Sequence, residues 1–341
     1  MGRQNQIFLL LFSSVVFALP FFLRNNYHLM VLNISALNIL VVIGLNLLMG
    51  FAGQISLGHA AFFGLGAYLS GILTTTCGFP IWPTVLLAMV LTAGVAFAIG
   101  IPTLKLEGHY LVMATLGFNV IVYIVMLQLE PVTGGPSGFS GIPRLELSGF
   151  VFDSDRKYYY LLWAVSIGAL LLSLNLIHSR VGRAMAALRQ NEIAARCAGI
   201  DTEAYKVKIF VLSAVMASLA GSLYAHYITF ISPGTFSFFY SLQVVTMVLV
   251  GGMGSLWGSV LGAFLLTLLP EVLHAVKEYN VLVYGLILMG VLVFFPHGLL
   301  TGITGIVGKR EKGVSAGGAE VKGLKAKHQI PSTHPASRGT E

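Results

Sequence analysis

Apolar residues in this chain gather into long runs instead of alternating with polar ones at a helix or strand period. A helix crossing ~30 Å of hydrocarbon needs about 20 mainly apolar residues. Runs of that order lie at Ile7 to Leu23, Met30 to Met49, Ile55 to Leu73, Val85 to Leu104, Tyr110 to Leu129, Tyr158 to Ile177 and Ile209 to Phe230. Three shorter ones follow at Leu242 to Met253, Leu256 to Leu269 and Val281 to Phe295. The pattern predicts about ten transmembrane helices. The eighth and ninth are parted by Gly251, Gly252, Gly254 and Ser255, so they also read as one bent or re-entrant unit. The first run follows Arg3 as a signal peptide would, but Phe17-Ala18-Leu19-Pro20-Phe21-Phe22 holds no small-x-small cleavage site, and we read it as a retained span.

Composition turns this pattern into a solvent argument. Of 341 residues 56% are apolar and 10% charged, where soluble domains run nearer a quarter charged. All 22 Phe, 13 Tyr and 3 Trp precede Leu300, and no aromatic residue follows Lys309. A single buried core would leave too little polar surface to meet water, so the expected fold class is an all-α integral membrane protein solvated by lipid. The two cysteines, Cys77 and Cys197, form neither a disulfide framework nor a metal cluster; we expect small apolar fillers on opposite sides of the bilayer.

Lysine and arginine set the orientation. The connection 179–208 carries Arg180, Arg183, Arg189, Arg196, Lys206 and Lys208, and the tail carries Lys309, Arg310, Lys312, Lys322, Lys325, Lys327 and Arg338. Both are expected in the cytoplasm, as is the N-terminus at Arg3. The slightly acidic connection 130–157, with Glu130, Glu146, Asp153 and Asp155 against Arg144, Arg156 and Lys157, should face outward as a periplasmic loop. Parity closes with ten crossings. The expected domains are a membrane domain over 1–300 and a basic tail over 301–341, which is too poor in large apolar residues to fold alone.

Several chemistries are missing. The string Gly302 to Arg310 fails the phosphate-loop pattern, with Ile303 in place of its first glycine and Arg310 in place of the magnesium-binding hydroxyl. No His-x-x-x-His or Cys-x-x-Cys pair offers metal ligands. Glu107, Glu130, Glu271, Glu278 and His109 sit near segment ends, leaving His59 and His226 as the interior titratable groups. That is little to build a proton relay from. We therefore expect no enzyme, cofactor, metal or nucleic-acid partner, and any driving energy should come from another subunit.

Glycine density marks two places. The first runs Gly50-Phe51-Ala52-Gly53-Gln54-Ile55-Ser56-Leu57-Gly58-His59, the second Gly251-Gly252-Met253-Gly254-Ser255-Leu256-Trp257-Gly258. Interrupted segments in two halves of a transporter point to a midplane pathway, while small residues equally serve close helix packing. Both readings stand. For His59, and for Asn33, Asn38, Asn46 and Asn119, hydrogen bonding between helices is the favoured reading.

The basic connection predicts two short helices. Arg183 to Gln190 favours helix. Asn191 is placed to cap Glu192 to Ala198, Gly199 to end it, and Asp201 to cap the seventh span. Ala184, Ala187, Ala194 and Ala195 would give these helices small apolar faces suited to a shallow groove on another protein.

The stretch Leu45-Asn46-Leu47-Leu48-Met49-Gly50-Phe51-Ala52-Gly53-Gln54-Ile55-Ser56-Leu57-Gly58-His59-Ala60-Ala61-Phe62 closely resembles the signature of permease subunits of branched-chain amino acid ABC importers. Thr133-Gly134-Gly135-Pro136-Ser137-Gly138 with Gly141-Ile142-Pro143 is similar to that family's outer loop. Val181-Gly182-Arg183-Ala184 through Asn191-Glu192-Ile193-Ala194-Ala195 to Gly199-Ile200 is similar to its ATPase-coupling segment. Val250-Gly251-Gly252-Met253-Gly254-Ser255 through Gly262-Ala263 is similar to its late glycine-rich motif. The match spans roughly Asn38 to Gly298, in order.

The resemblance implies an importer in which this chain forms half the pathway for Leu, Ile or Val. Asn46, Gly50, Gly53, Gln54, Ser56, Gly58, His59, Gly251, Gly252 and Gly254 would belong to that pathway. Gly182, Arg183, Ala184, Asn191, Glu192, Ala194, Ala195 and Gly199 would meet an ATPase. Its partners would be a second homologous permease subunit, two ATP-binding cassette subunits and a periplasmic solute-binding protein, in a bacterial inner membrane. The competing expectations are a permease for urea, short amides or other amino acids, a self-sufficient carrier or channel, and a membrane scaffold.

Overall fold

We describe the protein from a computed structural model over residues 3–22, 25–147, 150–273, 285, 289 and 290. The chain divides into two compact units, Met1–Leu299 and Leu300–Glu341, and the described residues belong to the first. The expected tail 301–341, and the tenth run apart from residues 285, 289 and 290, lie outside the described residues.

Each of the first nine apolar runs is a helix: α1 (Arg3–Phe22), α2 (Asn26–Asn46), α3 (His59–Thr75), α4 (Ile81–Thr103), α5 (His109–Gln128), and, after the single turn α6 (Glu130–Thr133), α7 (Asp155–Ile177). Two short helices, α8 (Arg180–Gln190) and α9 (Glu192–Cys197), precede α10 (Thr202–Ile228), α11 (Phe238–Gly251) and α12 (Leu256–Leu273). A π-helical turn, Leu47–Phe51, prolongs α2. Five helices are long and apolar enough to cross a membrane: Asn26–Phe51, Ile81–Thr103, His109–Gln128, Asp155–Ile177 and Thr202–Ile228. The apolar stretches Leu9–Phe21, Phe238–Gly251 and Leu256–Glu271 are shorter, and α3 has 17 residues. The expectation of ten spans thus rests on five full-length candidates among the described residues.

The centre of the bundle is α2, which packs against α7, α10, α11 and α12. From Leu37 to Leu48 its side chains are almost wholly buried, as befits a helix that is apolar all round. Helices α4 and α5 are different. They leave Leu86, Val90, Met113 and Ile121 largely exposed, an apolar outer surface suited to lipid and unsuited to water.

Small residues let α3 and α10 meet backbone to backbone. A methyl group on Gly221 would overlap the Phe63 carbonyl, and one on Gly66 would overlap the backbone of Ser218. The hydroxyl of Ser222 donates to the Gly66 carbonyl at 3.0 Å, and those of Thr92 and Ser218 share a bond of 3.0 Å that joins α4.

At one end the connection 130–157 folds back onto the bundle. It contains β1 (Phe139–Ser140), β2 (Glu146–Leu147) and β3 (Phe150–Val151), and β1 pairs antiparallel with β4 (Phe230–Ile231), just beyond α10. Tyr158 accepts from the Leu145 amide at 2.9 Å and donates to the His226 carbonyl at 2.7 Å. His226 itself bridges the Pro143 carbonyl and Ser70, each at 2.8 Å. Both cysteines are exposed, so the expectation of apolar fillers is corrected. Cys77 follows α3 in a turn and Cys197 closes a helix of six residues, and neither place reaches the packed core.

Candidate functional site

Backbone that leaves a helix inside a membrane must find hydrogen-bond partners in the protein, because lipid supplies none. The two glycine-rich stretches leave the helix at 52–58 and 252–255, and in each polar side chains, most of them from elsewhere in the chain, take up backbone amides.

In the first break the Leu57 amide donates to Thr115 Oγ1 of α5 at 3.1 Å, and the Gly58 amide to Ser56 Oγ at 3.3 Å. The Ala60 amide, in the unpaired first turn of α3, donates to Ser241 Oγ of α11 at 2.9 Å. Ser56 is buried, Gln54 is half-buried with its amide on the Leu48 carbonyl at 3.0 Å, and Gly58 lies against Thr115. His59, fully buried, shares a 2.5 Å hydrogen bond through Nε2 with Ser213 of α10, while its Nδ1 has no partner among the described residues.

One side chain closes the second break. Asn46, at the end of α2, accepts from the Gly254 amide at 2.9 Å and donates to the Ser255 carbonyl at 2.9 Å and to Ser259 Oγ at 2.5 Å. The carboxamide thus supplies the acceptor that the Gly254 amide lacks, and adds to the Ser255 carbonyl a second donor beside the Ser259 amide at 3.0 Å. Beside it a methyl group on Gly50 would overlap both Asn46 and the Gly254 amide, which is why glycine is needed there. Gly251 and Gly258 touch backbone to backbone, bringing α11 against α12. The Gly252 amide ends α11 on the Val248 carbonyl at 2.9 Å.

Arg189, from α8, joins the two breaks to the basic connection. Its guanidinium donates to the Gly50 carbonyl, at the negative end of α2 where a cation is favoured. Its stem lies under Gly53, which has a left-handed φ of 72°, and its Nη1 lies beside Gly254. Five of the expected pathway residues, Asn46, Gly50, Gly53, Gly252 and Gly254, so gather at or next to one knot. Gln54, Ser56, Gly58 and His59 belong to the neighbouring contact with α5, α10 and α11. Sequence reasoning assigns Arg189 to topology alone, because positive charge in such a connection already has a sufficient topological cause.

The basic connection folds as its caps dictate. Ser179 Oγ accepts from the Val181 amide at 3.1 Å, Asn191 Oδ1 from Ala194 at 3.0 Å and Asp201 Oδ1 from Ala204 at 3.1 Å. Gly199, with φ 81°, follows α9. Gly182 is pressed onto the Ile177 carbonyl. Ala184 and Ala195 are buried within the chain, whereas Arg183 and Ala194 are exposed and Ile193 is 76% exposed. Ile193 is thus the exposed large apolar side chain of this segment. Lys206, 3% exposed, pairs with Glu192 at 2.6 Å, and Arg196 pairs with Glu192 at 3.0 Å. Burial alone would raise the Glu192 pKa, but Lys206 and Arg196 outweigh it and hold the carboxyl below its ordinary value. Among the described residues no group of three or more His, Cys, Asp or Glu side chains is placed to hold a metal ion.

An apolar helical bundle with lipid-suited outer helices fits a membrane-embedded subunit, and comparison with known proteins gives it its class. Residues 27–295 match the family described as "Branched-chain amino acid transport system / permease component". The chain belongs to this family, and it is an integral membrane permease component, not an enzyme. Over 322 residues it is 33% identical to the high-affinity branched-chain amino acid transport system permease protein LivM of Salmonella typhimurium, covering 87% of this chain and 75% of that one. The Escherichia coli LivM is 32% identical over the same shares. The autoinducer 2 import system permease protein LsrC of Yersinia enterocolitica is 30% identical over 80% of this chain and 76% of its own. No solved structure matches the chain.

Proposed function

We propose that this chain forms half of the membrane pathway of an ATP-driven importer of branched-chain amino acids. A second homologous permease completes the pathway, two ATP-binding cassette subunits dock on the connection 179–208, and an exported binding protein delivers Leu, Ile or Val to the face that carries the connection 130–157. The chain lies in a bacterial inner membrane with ten crossings, both termini in the cytoplasm, a membrane domain over 1–300 and a basic tail over 301–341.

The observation that supports this best is the Arg189 knot. A displacement of α8 by an ATPase would pull directly on the Gly50 carbonyl and press on Gly53 and Gly254. Ile193 and Ala194 are the apolar contact for the ATPase, with Arg183 beside them, while Gly182, Ala184, Asn191, Glu192, Ala195 and Gly199 shape the segment from within or at its caps. No Asp or Glu is buried among the described residues, which leaves a proton-driven carrier without a relay.

The test is uptake of labelled leucine by vesicles holding the chain with its three kinds of partner. Arg189→Ala should keep the ATPase subunits bound and their basal hydrolysis intact, while leucine-driven stimulation and uptake fall about tenfold, a loss of the order expected for a charge-assisted bond. Concentrative uptake by the chain alone would overturn the reading. The likeness to LsrC favours one second reading, a different small polar solute; uptake of that solute with no uptake of leucine would select it.

A further inference from the structure

We infer that the chain binds one anionic phospholipid in a pocket between the ends of α4 and α10, with its phosphate held by Lys105 and Lys208. The pocket has a volume of about 350 Å³ and is lined by Phe97, Ile101, Leu104, Lys105, Val207 and Lys208, together with Asp201, Glu203 and Ala204. Three features of these residues choose the ligand.

The first is the sign of the available charge. Two cations and two carboxylates line the pocket, but the carboxylates are engaged: Asp201 accepts from the Ala204 amide at 3.1 Å as the cap of α10, and Glu203 lies 3.7 Å from Arg196. Neither Lys105 nor Lys208 has an ion pair among the described residues. Lys208 is held over the Tyr205 ring at 5.6 Å. The lining is neutral in sum, and its two ammonium groups are the charges left without an ionic partner among the described residues, free to hold an anion.

The second is the floor. Phe97 and Ile101, one turn apart on α4, are 55% and 43% exposed and line the pocket together with Lys105, so a ligand that fills it brings hydrocarbon as well as an anion. A soluble phosphate would leave that surface bare. The third is position. Lys105 follows the last turn of α4, and Lys208 lies in the second turn of α10, so both ammonium groups sit where a spanning helix meets the headgroups. Basic pockets between helices at that depth suit anionic headgroups, each lysine adding attraction of ~1 kcal/mol. The bound lipid would tie α4 to α10 beside the Glu192–Lys206 pair that anchors α9.

Native mass spectrometry of the full chain in detergent tests this without any transport assay, so its result stands apart from the importer reading. With phosphatidylglycerol added, the wild type should hold one lipid, and phosphatidylcholine should bind at background. The double change Lys105→Gln with Lys208→Gln should weaken retention about thirtyfold, which corresponds to ~2 kcal/mol for two lysines. Lys105→Arg with Lys208→Arg should restore it, which separates charge from folding. Phe97→Ser should weaken it with both lysines present. Inorganic phosphate in excess should not displace the lipid. Equal retention by the glutamine pair, equal binding of phosphatidylcholine, or displacement by phosphate would each overturn the inference.

Discussion

The two helix breaks have similar glycine-rich sequences and are held by opposite means. The break at 52–58 spreads its demand over hydroxyls on three elements, Ser56 within the break itself, Thr115 on α5 and Ser241 on α11. The break at 252–255 draws its distant side-chain bonds from one carboxamide, that of Asn46, which donates and accepts at once. A distributed set of neutral bonds loses little when one is removed. A single group that serves both sides of a break takes several bonds with it at once, and the Gly254 amide then left unpaired costs its desolvation.

Three changes probe that difference, in falling order of effect. Asn46→Ala leaves the Gly254 amide without its partner and takes one of several bonds from the Ser255 carbonyl, which keeps the Ser259 amide, and should lower stability in detergent by about 2 kcal/mol, read as a fall in the thermal unfolding midpoint together with loss of uptake. An unchanged midpoint would mean that water fills the gap and that the break does not depend on the carboxamide.

The second change uses pH, because the segment that carries Arg189 is anchored through Glu192. Its folded pKa is depressed, so the stabilisation is fully present above the ordinary value of 4.5 and fades as pH falls through the lower folded value. Wild-type midpoints should fall below about pH 4.5, while Glu192→Gln should be less stable at pH 7, by roughly 1 to 2 kcal/mol, and flatter in acid. Parallel profiles would remove the carboxylate from the anchor. Third and smallest, Ser241→Ala should cost about 1 kcal/mol, since the Ala60 amide loses one bond of several in its break. A cost equal to that of Asn46→Ala would erase the contrast.

Much of the fold was legible in the sequence, for reasons that separate local from distant information. Run length places nine helices, and local chemistry places the caps: Asn191, Gly199 and Asp201 stand where expected. Run length does not say which faces meet lipid. Helices α2 and α5 are about equally apolar, yet α2 is buried and α5 largely exposed, because mean apolarity carries no mark of a helix's neighbours. The glycine stretches were visible as breaks, but the bond from Asn46 to Gly254 joins positions 208 apart, and nothing in either string announces the other. His59 turns out to share a bond with Ser213, in keeping with the helix-bonding reading. In the basic connection the alanine faces looked alike, yet Ala184 and Ala195 point into the chain and Ile193 points away, a distinction set by how α8 and α9 pack on α10.

The small ladder between β1 and β4 has a mechanical consequence. By pairing Phe139 with Ile231 and Ser140 with Phe230, it laces the loop between α5 and α7 to the strand that leaves α10. These helix tips are fastened to one another at that rim, so rocking there requires the ladder to unzip first. The opposite rim has no strand pairing among the described residues and is held by side chains instead, Arg189 on the Gly50 carbonyl and Lys206 on Glu192. The two rims are thus fastened differently, one by backbone pairing and the other by side chains whose bonds single substitutions can remove.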